Sequence, residues 1–318
     1  MGQVTQAVGT KKVFDIKVVL AFLAIYFVWG STFLAIRVAV ETFPPFLLVG
    51  FRCFGAGLLL YAWVRFKTGE RLAWRHWRNA AVGGFCFFVV CQGYLAWAEK
   101  VVPSGIAAVV LALIPLWVVV LDWLRPGGQF PGKMVITGIM IGFAGLVLLV
   151  GPGLVSSGAS VNTLATLFLA VAALGWAFGT LYSRYRATDA SSTAMSAMQL
   201  LTSGGMLMVI SLFTGQWGEI IGKPVQGEVI WSLLYLILIG SVITFSAYVW
   251  LLRVVSPTQV ATYAYVNPVV ALLLGAGFAG EVLTFQDLIG SLVIVAGVVL
   301  IITFQRRRNQ PSEEVPLE

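Results

Sequence analysis

Between Met134 and Ser183 the chain carries no Asp, Glu, Lys, Arg or His. A run of that length cannot form the surface of a water-soluble domain. A helix that crosses a bilayer takes roughly 20 mostly apolar residues, so the run has room for two, divided by the segment from Gly151-Pro152-Gly153 to Ser160. Comparable stretches recur: Val18 to Ile36, Pro44 to Val64 (broken only by Arg52), Asn79 to Ala98, Val101 to Leu121, Ala190 to Gly218, Val229 to Leu252, Val254 to Gly280 and Leu288 to Gln305. The pattern predicts an all-α integral membrane protein of about ten transmembrane helices. The strands of a membrane barrel would alternate apolar and polar residues, and these runs do not.

Composition agrees. Of 318 residues, 59% are hydrophobic and 10% charged, against roughly 25% charged in a soluble domain. Secreted, disordered, collagen-like and ordinary cytosolic chains are excluded. The net charge of +7 fits cytoplasmic loops beside anionic lipid better than nucleic-acid binding. The first span follows Lys11, Lys12 and Lys17 but is longer than a signal-peptide core and lacks a clean cleavage site, so it reads as a retained helix. With the N-terminus inside, 16 of the 20 Lys and Arg fall on the cytoplasmic side, three outside, and Arg52 within a span. Both termini are therefore expected in the cytoplasm.

The two halves echo each other. Tyr94-Leu95-Ala96-Trp97 through Pro103 aligns with Tyr248-Val249-Trp250-Leu251 through Pro257, and each is followed by a second proline, Pro115 and Pro268. Gly138 and Ala144-Gly145 match Gly290 and Ala296-Gly297, and Trp29-Gly30-Ser31-Thr32 has a looser echo in Trp176 to Thr180. With five spans per half, the second copy enters the membrane from the opposite side. The expected division is 1–151 and 152–305, with 306–318 as a cytoplasmic tail. Inverted repeats point to a transporter, because two halves related by an in-plane axis can rock about a central site.

The Trp29-Gly30-Ser31-Thr32-Phe33 run, Phe51-Arg52, Pro103-Ser104-Gly105 with Pro115, Ser256-Pro257-Thr258 with Asn267-Pro268, and Gly280-Glu281-Val282-Leu283-Thr284 resemble the EamA-type drug/metabolite transporters, over roughly residues 15–305. The resemblance implies ten helices, with the fifth and tenth packed outside a central cavity. It also implies a place in the bacterial inner membrane and export of small amphipathic metabolites such as amino acids. A lipid or lipid-linked headgroup flippase is the alternative. Neither a cofactor nor nucleic acid is expected; the partners are a small-molecule substrate, membrane lipids and, as an open option, a second copy in a homodimer.

The substrate-binding candidates are Trp29, Arg52, Gln92, Trp176, Gln199, Tyr248, Tyr263 and Asn267. The aromatics read either as an interfacial belt or as a cavity wall that supplies apolar contact and one polar group each. Trp97, at an outer end, favours the belt; Tyr263 lies deeper. Buried amides are costly unless bonded, which singles out Gln92, Gln199 and Asn267. Arg52 lies roughly 10 Å from the outer end at helical rise. Snorkelling to headgroups and attraction of a carboxylate are both open. Pro115 and Pro268 in mid-span read as hinges or as packing kinks.

No Asp or Glu occupies a span centre; Glu99 and Glu281 stand at outer ends and Asp122 at an inner one. A proton relay is thus poorly supported, and downhill transport fits better. His76, in the basic loop between the second and third spans, is expected to be solvated. Cys53, Cys86 and Cys91 lie in apolar runs without metal spacing and read as core residues. No convergent catalytic group or metal site is read, so no enzyme is expected. The Gly138/Gly142 and Gly290/Gly297 pairs predict close helix contact, within the chain or between two copies.

Overall fold

The computed structural model describes residues 15–98, 102, 107, 110–156, 163–222, 224–278 and 284–308. Among these the regular structure is helical throughout. Helix α1 runs from Ile16 to Leu23, passes through a π-helical turn at Ala24–Val28 and continues as Trp29–Val40. Helix α2 is Pro45–Trp63, ending in a π turn at Val64–Thr68. Helix α3 comprises Trp74–Gly84, a π segment Phe85–Gly93 and Tyr94–Ala98. Then follow α4 (Ile114–Leu124), α5 (Lys133–Ser156), α6 (Thr163–Tyr185) and α7 (Ser192–Phe213). Helix α8 joins Gly227–Tyr235, a π segment Leu236–Ile243 and Thr244–Val254. Helix α9 is Pro257–Ala261 and Tyr263–Phe278, and α10 is Phe285–Arg308.

Six of these helices, α2, α3, α6, α7, α8 and α10, are long and apolar enough to cross a bilayer, and α1, α4 and α5 contribute shorter apolar stretches. One face of each is buried and the other is left apolar. On α10, for example, Leu292 is 70% exposed while Ile294 is fully buried. An apolar surface of that extent belongs against lipid.

Helix α5 continues through Gly151 to Ser156, so the 151/152 division falls inside a helix rather than between two. Glycine and proline do not by themselves stop a helix in lipid, where neighbouring elements satisfy the freed backbone groups.

The helices meet through small residues. The longest seam joins α5 to α10. A Cβ at Gly138 would lie 2.9 Å from the Gly297 carbonyl, and one at Gly145 would lie 2.7 Å from the Ile294 backbone nitrogen. Both glycine pairs singled out in the sequence are therefore used within the chain. The second seam joins α2 to α7, where a Cβ at Gly57 would stand 2.6 Å from the backbone nitrogen of Leu201. The first residues of α2 are capped from a distance: Gln216, buried in the short helical turn Gln216–Ile220, accepts from the N–H of Phe46 at 3.0 Å and of Leu47 at 3.3 Å. Those amides have no acceptor within their own helix.

Most of the core lies between α1, α2, α3, α4, α6, α7, α8 and α9. A separate cluster forms where α5 and α10 pack on α4 and α9, around Tyr265 and Leu146.

Candidate functional site

Four aromatic side chains from four helices meet in the core. The Trp29 ring lies 4.8 Å from Tyr263, 5.2 Å from Tyr248 and 5.6 Å from Trp176. The two tryptophans meet nearly edge to face, at 84°. Phe87 of α3 stands 4.9 Å from Trp176, and Phe88 stands 4.8 Å from Phe245. Such tilted pairs add about 0.5–1.5 kcal/mol each beyond burial alone. Trp29, Trp176, Tyr248 and Tyr263 are between 1% and 7% exposed. They form a packed cluster rather than an interfacial belt.

The polar tips of the cluster are satisfied. Trp176 Nε1–H donates to Tyr248 Oη at 3.1 Å. Thr180 Oγ1 donates to the Trp176 carbonyl at 2.8 Å, so the 2.6 Å contact between Thr180 and Tyr248 has the tyrosine as donor. The three bonds share a single proton order, and two of them tie α6 to α8. Thr32 makes the corresponding bond on α1, donating to the Trp29 carbonyl at 2.8 Å. The Trp29 Nε1–H itself reaches α8 and donates to the Gly240 carbonyl at 3.1 Å.

Gly240 lies in the π segment of α8. A π turn shifts the backbone register and leaves carbonyls off the regular ladder. Arg52 uses the same place: its Nε donates to Ser241 Oγ at 2.8 Å and its Nη2 reaches the Gly240 carbonyl at 3.5 Å. Arg52 is 5% exposed. It turns into the bundle and does not snorkel, because α8 presents two oxygens at the depth of its guanidinium.

The other candidates take different positions. Asn267 sits beside the π turn of α1; with its amide nitrogen turned that way, it reaches the carbonyls of Tyr26 at 3.0 Å, Tyr263 at 3.1 Å and Ile25 at 3.3 Å. Tyr26 Oη and Thr262 Oγ1, 2.7 Å apart, fasten the same two helices. Gln199 is buried between α3 and α6, where its Nε2 donates to Ser183 Oγ at 2.9 Å and its Oε1 has no partner among the described residues. Ser183 lies two turns along α6 from Trp176. Gln92 is half-buried in the π segment of α3. Neither glutamine joins the ring cluster. Pro115 occupies the first turn of α4, after the turn at Ala112–Leu113, and so starts a helix instead of kinking one. Pro268 lies inside the second part of α9, which is interrupted at Thr262. Glu99 and Glu281 lie outside the described residues.

The basic end of the bundle holds a second polar cluster. His76 is 3% exposed, against the expectation of a solvated side chain. Its Nδ1 accepts from the Ala73 N–H at 3.2 Å, closing the first turn of α3, and its Nε2 meets Asp189 at 3.1 Å. Arg75 grips the same carboxylate at 2.7 and 2.9 Å. Asp189 is held below the usual carboxylate range by its own backbone N–H and then by His76. Glu70 accepts from both the N–H and the Oγ of Ser191 at 2.7 Å, and Arg184 donates to the Leu252 carbonyl at 2.6 Å. Together these bonds link the α2–α3, α6–α7 and α8–α9 connections. Their partners are over 60 residues apart in sequence, so no local pattern announced them.

Six helices long and apolar enough to cross a bilayer define a multi-pass membrane protein. The EamA-like transporter family model matches residues 16–151 and again 163–303, and the chain belongs to this family. It is 37% identical to the uncharacterized inner membrane transporter YedA of Escherichia coli K12, over 88% of this chain and 89% of the relative. It is 24% identical to the uncharacterized transporter YoaV of Bacillus subtilis, over 92% and 99%. A solved crystal structure at 21% identity superposes with a TM-score of 0.74, over 93% of this chain and 99% of the other, and shows the fold alone.

Proposed function

We propose that this protein carries a small amphipathic metabolite, such as an amino acid or related compound, out across the bacterial inner membrane by alternating access. In this reading ten helices form two inverted five-helix repeats, both termini are cytoplasmic, and the division falls between α5 and α6. Two observations support the repeats. The family model matches once on each side of that division. The helix contacts also map onto themselves when α1 to α5 are exchanged for α6 to α10: α1 with α9 becomes α6 with α4, and α2 with α8 becomes α7 with α3.

The observation that carries the function is the aromatic cluster of Trp29, Trp176, Tyr248 and Tyr263, which draws on both halves where they must move against each other. Its rings offer apolar contact, and its hydroxyls and indole N–H groups can exchange their present partners for those of a cargo. The bonds around Asp189 and Glu70 then act as the latch of the cytoplasmic end, and the breaks at Ala112–Leu113 and Thr262 as bending points. A homodimer would have to use surfaces other than the Gly138 and Gly290 faces.

The test is purified protein in liposomes, preceded by a metabolite-toxicity panel that compares overexpressing cells with cells lacking the protein. Solute efflux is the expected result. Lipid redistribution without solute movement would replace this reading with the flippase.

A further inference from the structure

Arg52 is the one Lys, Arg, Asp or Glu among the described residues buried in the core. It makes no ion pair among them. A guanidinium has five N–H groups. One on Nε goes to Ser241 and one on Nη2 makes a long bond to Gly240. The remaining three, both on Nη1 and one on Nη2, have no acceptor among the described residues. They form the end of the fork that receives a carboxylate side by side. A buried charge held only by a hydroxyl and a carbonyl is incompletely compensated. The Trp29 indole shares the Gly240 carbonyl with Nη2, so the guanidinium and the aromatic cluster meet at one backbone oxygen.

From this we infer that the cargo is a monovalent organic anion: a carboxylate for Arg52, with an apolar or aromatic tail for the rings. The inference rests on the transport reading and narrows it from amino acids to related carboxylates that lack the ammonium group. One buried cation neutralises one negative charge, which selects a monocarboxylate over a phosphate dianion. Among the described residues no buried Asp or Glu stands ready for an ammonium group. The loaded centre is then electrically neutral and the empty one positive. Each cycle moves one negative charge, and a membrane potential negative inside drives that charge outward without a proton relay.

A matched series tests this: 3-phenylpropionate, phenylalanine and 3-phenylpropionamide share a tail and differ in the head group and its charge. Affinity is read by quenching of tryptophan fluorescence in the purified protein. Charge movement is read as current from protein-containing vesicles on a supported membrane, where passive entry of the neutral acid gives none. The anion should bind about tenfold or more tighter than the amide and the zwitterion and should produce a current. Arg52→Gln should lose that preference and the current, and Arg52→Lys should keep part of both. If Arg52→Gln does not yield monodisperse protein, the wild-type preference and Arg52→Lys carry the test. Equal affinity for anion and amide, absence of an anion current, or wild-type selectivity in Arg52→Gln overturns the anion site. Solute efflux in the toxicity panel would, in that event, leave the transport reading standing.

Discussion

Trp29 and Arg52 donate to the same acceptor, the carbonyl of Gly240, at 3.1 and 3.5 Å. Three helices are thereby joined at one backbone oxygen. A side chain at residue 240 would crowd it, since a Cβ there would stand 3.1 Å from Thr32 Cγ2 and 3.5 Å from Arg52 Nη2. Gly240→Val is expected to push Arg52 and α1 off α8 and to abolish transport, while retaining helix content by circular dichroism.

Tyr248→Phe removes the hydroxyl that accepts from Trp176 and donates to Thr180. The stranded indole N–H should cost about 1–3 kcal/mol. The expected readout is a lower melting temperature in detergent, with most of the loss recovered in Tyr248→Phe combined with Trp176→Phe. A melting temperature equal to that of wild type would show that water replaces the bond.

Gly145→Leu places a branched side chain where even a Cβ meets the α10 backbone at 2.7 Å. Overpacking of this kind costs about 1–3 kcal/mol. Stability should fall while affinity for cargo changes little, because α5 and α10 lie outside the aromatic cluster. A fluorescence-detected thermal melt, together with the quenching assay, separates the two effects.

Ala73→Cys, exposed in the basic connection between α2 and α3, should resist a membrane-impermeant maleimide in intact cells and react after permeabilisation. Cys53, Cys86 and Cys91 are buried and free, so the background is low. Ready labelling from outside would reverse the orientation and remove the basis for cytoplasmic termini.

Pro268→Ala should restore a backbone donor inside α9 and stiffen it near the break at Thr262. Insertion should be normal and turnover slower, measured as initial efflux at saturating cargo. Pro115→Ala is expected to have the smaller effect, because a first-turn proline has no intrahelical bond to remove.

The spans were legible because uncharged length is a property of sequence alone: from Met134 to Ser183 nothing but membrane helices fits. The meeting of Trp29 with Trp176 was only half legible. Their echo marked them as equivalent, but ring contact depends on how α1 crosses α6. The direction of Arg52 was not legible. Its acceptors, the Ser241 hydroxyl and the Gly240 carbonyl, lie on the π segment of α8 more than 180 residues away, and no local pattern joins them to Arg52. His76 was misread for a related reason: its partner Asp189 lies 113 residues away, across two connections that close only when the bundle forms.

Arg52 and Ser241 are separated by 189 residues of chain. At a translation rate of about 5–20 residues per second, α2 is made roughly 10–40 s before the π segment of α8 exists. During that interval the guanidinium has neither of its observed acceptors. The buried position of Arg52 therefore depends on the arrival of the second half at the first.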